Sequence, residues 1–253
     1  MLHTLLKDRG AALFKMVRDL PELTRLDVNY EGDSADEIDI GNNNGLPRCK
    51  ELAGLHSRSL QWLRVAMLDG PAEGNTLRLV GLPELRTCIL LGHARRSELH
   101  VRIDAASFEG APKLQELHVE YDDHLQLSDG CFEHLTALTK LTLADCRLNC
   151  VSADVTSVSG TLCVLDLSRN DPLQLDVETV TDIVQRSRLT SLILCKEEVL
   201  AWTDSIDVER SSRGGLCAIS MGSEERACCS CRLHFASSMV GIWTSKYRIL
   251  GQH

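Results

Sequence analysis

Leucines recur at a fixed spacing in the middle of the chain. The segment from Leu135 to Asn170 contains the pattern L-x-x-L-x-L-x-x-[CN] twice, 24 residues apart. Within one copy Leu141 and Leu143 are two residues apart, so a strand would place both on one face and their neighbours on the other. A strand this short cannot bury its leucines alone. The pattern therefore predicts strands that stack into a parallel sheet with a continuous aliphatic interior.

Weaker copies of the same unit extend in both directions along the chain. With the two central copies, their first positions are Leu60, Leu85, Leu114, Leu138, Leu162, Leu189 and Leu216, in steps of 24 to 29 residues. Leu23 starts a further copy, 37 residues before Leu60. We interpret the excess as an insertion over residues 32–50, which are acidic and then rich in Asn and Gly. The alternative is an additional, poor repeat that begins at Ala35.

These motifs resemble those of the leucine-rich repeat family over residues 20–224. The resemblance implies an α/β solenoid, with a curved parallel β-sheet on the concave face and helices, 3₁₀ turns or loops on the convex face. At the end of each copy, Asn170 can both donate and accept hydrogen bonds to neighbouring turns, and Cys146 is a small, buriable substitute. Phe108 and Phe132 precede successive copies at equal spacing, which predicts that their rings stack.

The two ends of the chain depart from the repeat. Apolar residues recur at helical spacing over residues 1–19, which predicts an N-terminal helix that caps the open end of the sheet. Residues 225–253 do not match the repeat and are interpreted as a C-terminal cap or a partly disordered tail. The predicted organisation is therefore a capping helix, repeats over 20–224 and a distinct C-terminal segment.

Composition narrows the classes of partner. The net charge is −9, and no cluster of Lys and Arg with interleaved aromatic residues occurs, which disfavours nucleic acid. No apolar run approaches the roughly 18 residues of a membrane span. The first apolar stretch contains Lys7, Asp8 and Arg9, unlike a secretory signal peptide. We therefore expect the 11 cysteines to be reduced, and the protein to be cytoplasmic and monomeric.

Motifs of catalysis are missing from the sequence. It contains no glycine-rich phosphate loop, G-x-S-x-G, H-E-x-x-H or paired C-x-x-C, so we expect neither an enzyme nor a cofactor. The cluster of Cys228, Cys229, Cys231 and His234 is an alternative zinc site, but no second pair of ligands follows it. His118 lies between Glu116 and Glu120 in E-x-H-x-E, which suits a metal or a solvated polar strip.

The residues that alternate with the leucines form the candidate binding face. One end of this face carries Trp62, Arg64, Ile89 and Leu91, residue types that favour protein contacts. Its middle carries Glu116, His118, Glu120, Lys140 and Asp166. The alternative is that the first four residues pack under the N-terminal helix or the insertion.

The resemblance implies a non-catalytic protein-interaction module or scaffold that binds another protein on its concave face. The alternative is a substrate-recognition subunit of a ubiquitin ligase, which would carry an F-box-like helical motif at its N-terminus. Residues 1–19 are short for such a motif. The sequence does not identify the partner.

Overall fold

A computed structural model shows a ten-stranded sheet as the main element of the chain. The structure describes residues 2–5, 10–29, 49–66, 76–92, 101–122, 125–151, 155, 160–170, 173–174, 189–195, 218–221 and 230–234. The strands of this sheet are β1 (Leu2–Leu5), β2 (Arg25–Asn29), β3 (Trp62–Ala66), β4 (Thr87–Leu91), β6 (Glu116–Glu120), β8 (Lys140–Ala144), β9 (Val164–Asp166), β10 (Ser191–Cys195), β11 (Ala218–Met221) and β12 (Ser230–His234). A two-stranded sheet contains β5 (Arg102–Ile103) and β7 (Gln126–Leu127).

The strands from β1 to β10 are parallel and follow one another in chain order in the main sheet. Their register places core residues side by side on adjoining strands, and all of these residues are fully buried: Leu26, Leu63, Cys88, Leu117, Leu141, Leu165 and Leu192. Burial of one such leucine contributes about 1.5–3 kcal/mol. The structure confirms a parallel-strand solenoid with little helix.

Buried side chains connect the turns that follow successive strands. Asn170 accepts hydrogen bonds from the backbone N–H groups of Cys146, at 2.8 Å, and Leu148, at 3.2 Å. Its amide group donates to the carbonyl oxygens of Leu143, at 2.6 Å, and Leu167, at 2.8 Å. This network confirms the predicted role of Asn170, because one side chain satisfies polar groups of two adjacent coils.

The same turn position is filled differently on the neighbouring coils. The thiol of Cys146 donates to the carbonyl oxygens of Val119 and Ala144, both at 3.3 Å. On the coil of β6 the position belongs to Asp122, which is buried and accepts a hydrogen bond from the N–H of Val101 at 3.1 Å. The repeat therefore conserves a hydrogen-bonding function here rather than one residue type.

A second ladder of backbone pairs lies away from the main sheet. Strands β5 and β7 are parallel, and isolated bridges pair Thr76 with Arg102 and Cys150 with Gln174. The buried rings of Phe108 and Phe132 have centroids 6.4 Å apart and planes inclined by 26°, which confirms the predicted stack. Several neighbouring coils thus contact each other both through the main sheet and through these outer pairs.

The N-terminal segment differs from the predicted helix over residues 1–19. In the described part of this segment, helix is observed only in α1 (Gly10–Val17), while Leu2–Leu5 forms β1 at the edge of the sheet, parallel to β2. Helix α1 connects these two strands and contacts a 3₁₀ helix (Cys49–Gly54). It is therefore the connection of the first coil. Most of the predicted insertion at 32–50 lies outside the described residues.

The C-terminal strands also differ from a simple stack. The copy at Leu216 forms β11, as expected, but β11 does not pair with β10. Strand β12 lies between them and is antiparallel to both. The segment after residue 224, which does not match the repeat, thus contributes a strand to the same sheet.

Candidate functional site

The face of the main sheet opposite the leucine core carries all nine predicted binding residues. We call the residues of β2 to β9 that alternate with the core the polar strand face. The register aligns one row of Arg25, Trp62, Thr87, Glu116, Lys140 and Val164, and a second row of Asp27, Arg64, Ile89, His118, Thr142 and Asp166. Leu91 and Glu120 pair in a third row. Trp62, Ile89, Leu91, Lys140 and Asp166 are each partly exposed.

Charged and aromatic side chains contact one another at the N-terminal end of this face. The guanidinium of Arg25 lies over the ring of Trp62, 3.6 Å from its centroid. On the adjacent row Arg64 Nη1 is 3.8 Å from Asp27 Oδ2. The side chain of Arg64 is 36% exposed and that of Asp27 only 7%. This end therefore combines a fixed aromatic ring, two cations and one buried carboxylate.

His118 occupies the middle of the face between two carboxylates of its own strand. Its Nε2 is 3.7 Å from Glu116 Oε2, and its Nδ1 is 3.9 Å from Glu120 Oε1. Burial and the nearby Lys140 lower the pKa of His118, although Glu116 opposes that change. No group of acidic, His and Cys side chains suited to a metal ion occurs within the described ranges. His118 and its two carboxylates thus form a row of polar side chains along β6.

The pKa of Glu120 is raised, mainly by burial and also by Asp166, although Arg169 and Lys140 oppose this change. Arg169 Nη2 is 3.8 Å from Glu120 Oε2, and the Arg169 guanidinium lies 5.1 Å from the centroid of the Tyr121 ring. Tyr121 and Arg169 have φ angles of 62° and 61°. The left-handed backbone thus places both beside the polar strand face.

We expect acidification to destabilise the fold through His118. Its folded-state pKa is below the ordinary value of 6.5, so the unfolded chain binds the proton first. The free energy of unfolding should therefore fall as the pH drops from about 6.5 towards the lowered pKa, and should not change through this group above that window. Urea unfolding of the wild type and of His118→Gln between pH 5 and 8 measures this effect. An identical pH dependence in both proteins would contradict it.

The far end of the sheet is more enclosed than the sequence predicts. Ser191 and Ile193 alternate with the core leucines of β10, yet both are buried. In β12 the register pairs Cys231 with Leu194 and His234 with Ser191. Cys228 and Cys229 lie outside the described residues, so the zinc alternative stays a prediction. Burial raises the pKa values of the Cys49 and Cys88 thiols to about 12, which disfavours their reactive thiolate forms.

Sequence reasoning did not single out four residues that the structure adds to this site: Arg25, Asp27, Tyr121 and Arg169. The sequence could have indicated Arg25 and Asp27, because they alternate with Leu26 and Val28 in the first copy of the repeat. Tyr121 and Arg169 follow their strands, and only the turn geometry brings them back to the face.

Comparisons with known proteins give no family for the chain. No protein-family model matches it, and no curated protein is significantly similar to it. Within the described ranges, every helix is too short or too polar to span a lipid bilayer. The functional interpretation therefore depends on the geometry of the polar strand face.

Proposed function

We propose that the chain is a non-catalytic interaction module of the leucine-rich repeat type, which binds another protein on the polar strand face. The observation that carries this proposal is the alignment of Trp62, Arg64, Ile89 and Leu91 on adjoining strands. Trp and Arg are enriched among the few residues that supply most of the binding energy in protein interfaces, and exposed apolar side chains beside them commonly mark a contact site. The paired strands hold them in a fixed arrangement, so little conformational entropy is lost on binding.

Acidic and basic residues lie beside Trp62, Arg64, Ile89 and Leu91. They can form the polar rim of the interface and determine which partner binds. Glu116 has a side chain that is 45% exposed, and Lys140 lies beside it in register. Partly exposed charges of this kind affect the rate and specificity of association more than its affinity. The site thus has an apolar and aromatic anchor at one end and a charged surface in the middle.

The test is a quadruple variant with Trp62→Ser, Arg64→Ser, Ile89→Ser and Leu91→Ser. We expect capture of a partner from native extract to fall by about tenfold or more, since truncation of one hot-spot residue costs about 2 kcal/mol or more. Circular dichroism should still show a folded chain, because none of the four belongs to the buried core. The melting temperature should fall moderately, because Arg64→Ser removes the cation that faces the buried Asp27 carboxylate.

The matched control replaces Val80, Arg102, Gln126 and Gln174 by Ser. These residues are exposed and lie on the outer side of the coils, and the set also removes one positive charge. Capture by this control should equal that of the wild type. Undiminished capture by the first variant, or an equal loss in both, would reject the proposal.

A further inference from the structure

Two buried side-chain atoms lack a hydrogen-bond partner in the part of the chain that the structure describes. They are Oδ1 of Asp27 and Oγ of Ser191. Neither lies in the leucine core, because Asp27 pairs with Arg64 and Ser191 with Val164 in rows that alternate with the core. Buried polar atoms in folded proteins almost always have partners, so an exception calls for an explanation.

Of these two residues, Asp27 is the stronger indication of a ligand-binding site, because a carboxylate is charged and a hydroxyl is not. Its Oδ2 faces Arg64 at 3.8 Å, which permits Coulomb attraction but exceeds a hydrogen-bond distance. Arg25, the next cation on the same strand face, is stacked over Trp62. A buried carboxylate oxygen without a partner is costly for a folded chain, and a cationic donor that displaced the partly exposed Arg64 side chain from this carboxylate could reach it and remove this cost.

We propose that Asp27 anchors a lysine or arginine side chain of an extended segment in the partner protein. This inference rests on the proposed function and names the chemistry of the partner. An ionised carboxylate only accepts hydrogen bonds, and its strongest bonds are those from cationic donors. The net charge of −9 also attracts basic segments towards the chain.

The positions of the acidic residues set the spacing of cations in the partner. Asp27 lies on β2, and Glu116 and Glu120 lie on β6, three strands further along the sheet. At about 4.8 Å between strands this separation is about 14 Å. An extended chain that crosses the strands covers it in about four residues, at about 3.4 Å each.

Residues four apart in an extended segment point to the same side, and so does the residue midway between them. That middle residue would lie over Trp62 and Ile89, which are partly exposed on β3 and β4. The expected recognition sequence is therefore a cation, any residue, an apolar residue, any residue and a second cation.

Synthetic peptides test this spacing directly by calorimetric titration against the full chain. The probe is acetyl-ARALARA-amide, with arginines four residues apart. One control, acetyl-ARALAARA-amide, separates the arginines by five residues, and another, acetyl-AEALAEA-amide, replaces both by glutamate. We expect the first peptide to bind at least about fivefold more tightly than either control, and its binding to weaken as salt is raised.

Asp27→Asn keeps the shape of the side chain and removes its charge. This variant should bind the first peptide about tenfold more weakly, while its melting temperature stays equal or rises. Asp129→Asn makes the same exchange at an exposed residue of the outer surface and should bind like the wild type. His3 is the register neighbour of Asp27 on β1, so a His3→Ala variant tests for an internal donor.

Three results would overturn the assignment of Asp27. These are equal binding of the two arginine peptides, unchanged binding in Asp27→Asn, or a shared fall in melting temperature of Asp27→Asn and His3→Ala. Preferential binding of the glutamate peptide, lost in the quadruple serine variant, would also overturn it but would support the proposed function. Undiminished partner capture by the quadruple serine variant would reject the proposed function, whichever peptide binds best.

Discussion

Replacing Asn170 by Ala is expected to lower the free energy of unfolding by about 3–5 kcal/mol, because several buried polar groups lose their partner at once. The N–H groups of Cys146 and Leu148 and the carbonyl oxygens of Leu143 and Leu167 all bond to this side chain. Alanine also leaves a small cavity, because the Asn170 side chain is fully buried. Urea unfolding monitored by circular dichroism measures the loss.

Asn170→Cys is the matched control, because Cys146 occupies the equivalent turn position on the preceding coil. A thiol fills more of the space than alanine and can donate weakly to the carbonyl oxygen of Leu143, as Cys146 does to that of Val119 one coil earlier. The Cys variant should therefore lose clearly less stability than the Ala variant. Equal losses, or a loss below about 1 kcal/mol in the Ala variant, would contradict the hydrogen-bonding role.

The second large effect is expected from Gly110→Ala. A Cβ atom at this position would overlap the Cα, carbonyl carbon and carbonyl oxygen of Val80 on the preceding coil. The N–H of Gly110 donates to the carbonyl oxygen of Leu79, so the two backbones cannot separate without losing this bond. We expect the free energy of unfolding to fall by about 3 kcal/mol, at the upper end of overpacking effects.

Gly54→Ala provides the control for that substitution. A Cβ atom at Gly54 would meet no atom within 4 Å, and Gly54 shows no left-handed φ angle. The exchange should leave stability unchanged or raise it by about 0.5 kcal/mol, because alanine restricts the unfolded chain. Chemical denaturation of both variants measures the two changes in the free energy of unfolding. A similar change in the two proteins would show that the contact with Val80 is not the cause.

The core was predictable from the sequence because its signal is local. Leu141 and Leu143 have the strand period of two, and repetition of the same unit fixed the register with Leu117 and Leu165. The N-terminal strand was not predictable in this way. Leu2, Leu5 and Leu6 have the spacing of one helical face, but parallel pairing with β2 places Leu2–Leu5 in a strand. Tertiary pairing here overrides the helical spacing.

Only one property of the site was predictable from the sequence: which side chains share a face of the sheet. This follows from strand parity, the alternation of successive side chains between the two faces. Parity places Trp62, Arg64 and His118 on one face, as the structure confirms. Parity does not predict which carboxylate is buried or which cation faces it. The pairing of Arg64 with Asp27 and of Arg169 with Glu120 depends on side-chain directions across strands and turns. Periodicity in one chain segment contains no information on such contacts.

The reversed direction of β12 limits how this architecture can be lengthened. Each upstream strand offers its neighbour a parallel edge, so duplication of one unit before β10 would insert a new coil without disturbing the pattern. After β10 the edge is occupied by a chain that runs the opposite way. A unit added there would have to displace β12 or pair with a different hydrogen-bonding geometry. Growth by duplication is therefore open at internal positions and hindered directly after β10.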